Sequence, residues 1–248
     1  MHVSDGIYLG SVALGSRRTT SERNPTAQIG VGPMAQVHHL AIIPAAVGTA
    51  NLAALAAPTS GTALTLTAGA GITAGTAPDG SGSRVYSFDV ERAVSLTSTS
   101  NLSAINFLVT GYNRYGQRQT QLMAGPNNNT VNSLKAFLSI LSIVPQGTSA
   151  STVSAGSSDV FGLPFALPDI TYITSVKWAA TLANNAGTAV AADTTSPATA
   201  STGDPRGTYT PAGAASNGSN RLVLGQYLDA TQCGSSATVL AAYGVTPA

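Results

Sequence analysis

Nucleophilic catalysis needs a hydroxyl or thiol held beside a base, and the sequence offers three histidines for that task, His2, His38 and His39. His38 and His39 are adjacent in a strand-like run, so their side chains point to opposite faces and at most one can serve a given site. The expectation is one packed and one solvated imidazole. Ser157 and Ser158 precede Asp159, but no Gly-x-Ser-x-Gly elbow is present, and the run reads as a turn with side-chain-to-backbone hydrogen bonds. The aspartates stand singly along the chain, and Asp79 before Gly80 and Asp204 between Gly203 and Pro205 are placed for turn formation. Gly69, Gly71 and Gly75 lack the dinucleotide-binding spacing, and no Lys-Ser or Lys-Thr pair follows a glycine-rich loop. Asn101, Asn128 and Asn217 open Asn-x-Ser/Thr triplets that read as turn composition. Tyr112 and Tyr115, with Trp178, are the aromatic groups available to stack on a sugar or a partner protein, although a packing role for the two tyrosines is the simpler reading. The expectation is a protein that is not an enzyme and holds no cofactor and no metal.

Composition points the same way. Ala, Thr, Ser and Gly account for 123 of 248 residues, and charged residues are 8% against about 25% in an average globular protein. Glutamate occurs only as Glu22 and Glu91. A formal charge of +1 without a basic cluster gives no electrostatic footprint for nucleic acid. No window reaches the roughly 18 consecutive apolar residues of a membrane helix, so a soluble chain with neither nucleic acid nor membrane as partner is expected. Cys233 is the single cysteine, which excludes an intrachain disulfide framework. Residues 1–18 lack a basic start and an unbroken apolar stretch, unlike a secretory signal.

The elements that would position any site are short and rich in β-branched residues between Gly and Pro, which predicts an all-β fold. Residues 1–33 carry Arg17, Arg18, Glu22 and Arg23 with no sustained period and read as an extended arm. Strands are predicted at Ala35 to Ile43, at Arg84 to Val90 with one buried face, and at Ile105 to Val109. The last of these runs through Tyr112-Asn113-Arg114-Tyr115-Gly116 into a return strand from Gln117 to Ala124, a hairpin with Asn113 opening the turn and Gly116 closing it. Pro44 to Ala57 is Ala-rich but too short and Gly-broken for a secure helix. Leu134, Phe137, Leu138 and Leu141 fit a helical spacing, while Leu138, Ile140 and Ser142 also alternate, so both assignments stand. Tyr172 to Leu182 reads as one long strand, 183–201 as low complexity, and Arg221 to Leu228 and Thr238 to Tyr243 as final strands. About ten short strands with frequent turns suggest a β-sandwich or jelly roll. The division expected is an arm over 1–33, a β-sandwich body over 34–182, and a segment over 183–248 that packs on the body or a neighbouring subunit.

The run from Tyr86 to Val94, followed by Asn106 to Gly116, resembles structural proteins of tailed bacteriophage virions. Lys135-Ala136-Phe137 with Ile140 and Ile143, Gly156 to Pro164, and Thr202 to Tyr209 resemble that group in the same order, so the likeness spans most of 35–230. It implies a capsid decoration (cement) protein on the virion surface, binding the major capsid protein as a dimer or trimer of itself, with no active site to carry over. In that picture Gly111 and Gly116 close the hairpin, and Asp204 and Arg206 belong to a fixed loop. Arg17, Arg18, Arg23, Tyr112, Arg114 and Tyr115 are the candidate contacts to the capsid or to another subunit. The alternatives are a tail tube, nozzle or fibre-base component, and a carbohydrate-binding receptor protein.

Overall fold

A computed structural model describes residues 36–195, 202–228 and Gly244. The described chain is all-β, with thirteen strands and one short 3-10 turn at Ile170–Tyr172. The expected arm with Arg17, Arg18 and Arg23 lies outside the described residues, as does the expected strand from Thr238 to Tyr243.

The chain opens with β1 (Gln36–Ile42), β2 (Gly48–Ala56) and β3 (Ile72–Thr76), followed by the long β4 (Arg84–Thr97). The hairpin strands β5 (Asn106–Tyr112) and β6 (Arg118–Ala124) come next, then β7 (Thr130–Pro145) and β8 (Val153–Gly162). Five further strands complete the set: β9 (Ile173–Trp178), β10 (Ala183–Asn184), β11 (Thr188–Val190), β12 (Thr208–Thr210) and β13 (Leu222–Leu228). One sheet has the order β11-β12-β8-β4-β7-β5-β6, with β2 added on β8 and β3 on β4. A smaller sheet has the order β1-β13-β9-β10, and every pairing in both sheets is antiparallel.

Two apolar clusters hold these sheets. The larger sheet curls around Leu52, Phe88, Leu96, Phe107, Phe137 and Ile143, all buried. Phe161 of β8 and Tyr209 of β12 meet Leu40, Trp178, Leu222 and Leu224 of the smaller sheet in the second cluster, which joins the two sheets. Each fully buried Leu or Phe contributes about 1.5–3 kcal/mol, so these clusters supply the main drive for folding.

Two expectations are corrected here, for β4 and for the strand from Tyr172, and two open ones are resolved. β4 is not half-buried: Val85 and Phe88 lie on opposite faces and both are buried, and from Glu91 to Leu96 every residue is buried. Val85 packs with Ala77 and Tyr112 on one face while Phe88 enters the larger cluster on the other, so this central strand buries apolar side chains on both faces. The helical spacing at Leu134 to Leu141 belongs to a strand, because irregularities in the β4–β7 register bury Lys135, Ala136 and Phe137 in succession and leave Leu134 outside. The Ala-rich segment after Pro44 forms β2. The long strand expected to reach Leu182 stops at Trp178, where Ala179 at φ 73° and Leu182 at φ 50° turn the chain into β10.

The remaining low-complexity sequence is also partly structured, since β11 extends the large sheet through β12. β13, from the same C-terminal part, is an interior strand of the small sheet between β1 and β9.

Candidate functional site

The hairpin tip, named both for packing and as a candidate contact surface, folds back onto the body, where Tyr115 meets Arg206 and Pro164. Asn113 caps its own turn, its side-chain oxygen accepting from the N–H groups of Tyr115 at 2.9 Å and Gln117 at 3.0 Å, and Gly116 takes φ 73°. That geometry is the turn that the Asn and Gly positions predict. It directs Arg114 toward Glu91 on β4, with Nε donating to Oε2 at 2.6 Å. Arg206 reaches the other oxygen of the same carboxylate through a nitrogen, while its Nε donates to the Leu163 carbonyl at 2.9 Å. The Glu91 and Arg206 side chains are fully buried, and that of Arg114 is partly so.

Tyr115 closes the cluster from outside. Its ring lies 5.3 Å from the Arg206 guanidinium carbon and its hydroxyl donates to the Pro164 carbonyl at 2.5 Å. Among the described residues the second Arg206 amino nitrogen has no hydrogen-bond acceptor, and the Tyr115 ring face adds a cation–π contact to the guanidinium. Gly162 is required by this arrangement: a Cβ there would come within 2.9 Å of Glu91 Cγ and Cδ and 2.8 Å of Ala136 Cβ.

Asp204 organises the facing loop. Its Oδ1 accepts from the backbone N–H of Arg206 at 2.8 Å and of Gly207 at 3.1 Å, and its Oδ2 accepts from Ala136 N–H of β7 at 2.9 Å. Burial pushes this carboxyl up to about 6; Arg206 opposes the shift and Glu91 adds to it. Lys135 is buried nearby, its Nζ donating to the Thr120 carbonyl at 2.8 Å, and burial lowers its pKa. Arg92, also buried, donates twice to the Ala45 carbonyl at 3.3 Å and pairs with Asp89 at 3.6 Å.

Several expected roles change. Tyr112 is 1% exposed, with its hydroxyl on Asp79 at 2.6 Å, so it is an interior residue and not a capsid contact. Arg114 is committed to Glu91 and to the Gly162 carbonyl at 3.3 Å. Tyr115, 43% exposed, keeps one face at the surface. Trp178 is buried with Nε1 donating to the Ala214 carbonyl at 2.9 Å, so no aromatic platform of Tyr112, Tyr115 and Trp178 is formed. Gly111 is not a turn residue: it lies within β5, where a Cβ would overlap the Ser139 carbonyl oxygen. Asp204 and Arg206 do sit in one anchored turn, closed by Gly207 N–H on the Asp204 carbonyl at 3.2 Å, and the Arg206 side chain adds a buried counter-charge to Glu91.

Chemically, these groups hold and do not present. Each carboxylate oxygen of Glu91 and Asp204 already accepts a donor from the protein, and among the described residues no three His, Cys, Asp or Glu side chains converge on a possible metal position. His38 packs edge-on against Phe165, with ring centroids 4.9 Å apart, and its neighbour His39 is exposed. Burial, then Arg114 and His39, lower the His38 pKa.

Sequence reasoning missed Glu91 as the hub. One signal was available: it is the single glutamate between residues 36 and 248.

The Tyr112 contact makes a direct prediction. Asp79 is held down to about 2, first by the Tyr112 hydroxyl and then by Ser81. In Tyr112→Phe its carboxyl carbon, followed by NMR titration, should move up toward the ordinary carboxylate range; an unchanged midpoint would show that Ser81 alone holds it.

Comparison of the chain with protein families, with curated proteins and with solved structures finds no match. The class is therefore defined by the fold and the cluster themselves: an antiparallel all-β scaffold whose central charges bind one segment of the chain to another.

Proposed function

We propose that this chain is a non-catalytic virion component of a tailed bacteriophage, a capsid decoration protein that binds the outside of the assembled head and bridges neighbouring capsomers. In this reading the two sheets form a sandwich or jelly-roll-like body, and residues 1–33 are an arm that reaches the major capsid protein. The observation that carries the non-catalytic part is the inward commitment of the charged groups. Glu91, Arg92, Asp204 and Arg206 are all buried and bonded to one another or to backbone. Such a body is stiff and charge-poor, suited to repeated weak contacts over a lattice where multivalency supplies the affinity. The head assignment comes from the sequence resemblance.

Copy number tests it. Quantitative mass spectrometry of purified particles should find this chain at a ratio to the major capsid protein of the order of one. A few copies per particle would make it a tail component, and absence from particles would refute both. Within the decoration reading, a chain lacking residues 1–33 should keep its melting temperature but sediment with capsids at reduced occupancy; undiminished occupancy removes the arm from the contact.

A further inference from the structure

We propose that β1 is the self-association edge of this protein, and that a second copy adds its own β1 antiparallel to it, joining two four-stranded sheets into one of eight strands. The proposal stands on the edges of the sheets and holds whether or not the chain is a virion component.

An exposed strand edge is a template for pairing, and proteins that stay monomeric guard their edges with charge, proline, bulges or brevity. Most of the other edges here are guarded. β10 has two residues and β11 three. β3 has five residues and carries Gly75. β6 begins at Arg118 and has the Lys135 ammonium on its Thr120 carbonyl. The free side of β2 is covered by the following segment, through Thr67 N–H to the Leu52 carbonyl at 2.8 Å and Gly69 N–H to the Asn51 carbonyl at 3.0 Å.

β1 has none of these features. Its sequence, Gln-Val-His-His-Leu-Ala-Ile, contains no charged residue, no proline and no glycine. It pairs with β13 over seven consecutive positions without a bulge, and among the described residues its other side has no strand partner. The strand is therefore regular, long enough to pair and, among the described residues, unguarded.

The outer face next to this edge is apolar as well. Leu40, Leu222 and Leu224 point into the core, so the alternate residues point out. On that outer face Val37, 43% exposed, stands opposite Tyr227, 41% exposed, and Ala41 stands opposite Val223. Ile43, 49% exposed, follows just beyond β1. Lys177, opposite Val223 on β9, is the one charged residue in this register.

The occupant follows from symmetry. Gln36 pairs with Leu228, so β1 begins and β13 ends at the same end of the β1–β13 ribbon, while the side of β1 away from β13 runs along the edge of the sheet. Two antiparallel β1 strands in full overlap place Val37 against Ala41 of the second copy and His39 against itself on the two-fold axis, with no like charges opposed.

Three measurements on the full chain test this. Sedimentation equilibrium of the unmodified protein should give twice the chain mass. Ala41→Lys puts a charge on an exposed position of the edge, and it should halve the mass at an unchanged melting temperature. In a Cys233→Ser background, His39→Cys should form a covalent dimer on mild oxidation, because directly opposed residues of an antiparallel pair have Cα atoms about 4.5–5.5 Å apart, within disulfide reach. Leu55→Cys in the same background, exposed on β2, should stay uncrosslinked. A single-chain mass for the unmodified protein overturns the proposal, as does a dimer that survives Ala41→Lys or a His39→Cys chain that fails to crosslink; a single-chain mass with the β1 amides protected from exchange would assign the edge to the chain's own terminal residues.

Discussion

Glu91→Ala should be the most damaging single substitution in the body, costing about 3–5 kcal/mol in chemical denaturation, the range for breaking a buried ion pair from one side. The reason is what remains. Arg206 would keep its bond to the Leu163 carbonyl but lose the carboxylate it is hydrogen-bonded to, leaving a buried guanidinium with only Asp204 as a nearby charge and, among the described residues, no acceptor for its other amino nitrogen. Against a typical domain stability of about 5–15 kcal/mol, that loss leaves a body close to unfolding. Arg114→Ala removes the other arginine and should cost no more than about 1 kcal/mol, because Arg114 is partly solvated and a solvated pair is worth little. The pair Glu91→Leu with Arg206→Met should recover much of the loss, because a buried ion pair exchanged for apolar side chains is often neutral. A Glu91→Ala cost below about 1 kcal/mol, or a double variant as unstable as the single costs added together, would mean that the cluster is not what fixes the hairpin to the loop.

The cluster also marks where sequence reading reached its limit. Local signals were legible: the alternation of Phe107 and Val109, the Asn113 cap and the Gly116 conformation are decided within a few residues and match the structure. The target of that hairpin was not, because Arg114 and Arg206 meet Glu91 across 23 and 115 positions of sequence. Irregular registers hid β7, since a bulge turns a two-residue period into spacings that imitate a helix. Ala179 and Leu182 gave no warning of their positive φ, a conformation set by tertiary packing and not by residue type. The packing role of Tyr112 was legible, because a hairpin end commonly folds back on its sheet, but its partner was not: Asp79 comes from the loop before β4.

Acidification from neutral pH to about pH 5 should act on Asp204 in the opposite sense to ordinary acid denaturation. Its folded-state pKa, about 6, lies above the ordinary carboxylate value, so the folded protein binds the proton more tightly than the unfolded chain. The contribution is fully present below the unfolded value near 4 and is lost as pH rises through 6; a shift of this size is worth about 3 kcal/mol in total, of which about 1 kcal/mol separates pH 5 from pH 7.5. Glu91, Arg206 and Lys135 surround the group, and His38 opposes it in the same window: its lowered pKa favours the neutral ring, so its contribution fades as pH falls. Below about pH 4 the depressed carboxyls of Asp79, Asp169 and Asp193 lose their hydrogen-bonded charge and stability declines. Asp204→Asn separates these effects. Its amide nitrogen must face the Ala136 N–H if its oxygen keeps the Arg206 and Gly207 donors, which costs about 1–3 kcal/mol for the orphaned donor. The difference between wild-type and Asp204→Asn stability, measured by urea denaturation from pH 4 to 8, should shrink as pH rises through 6. A difference that stays level across that range would show that Asp204 is ionised throughout, held so by its three backbone donors.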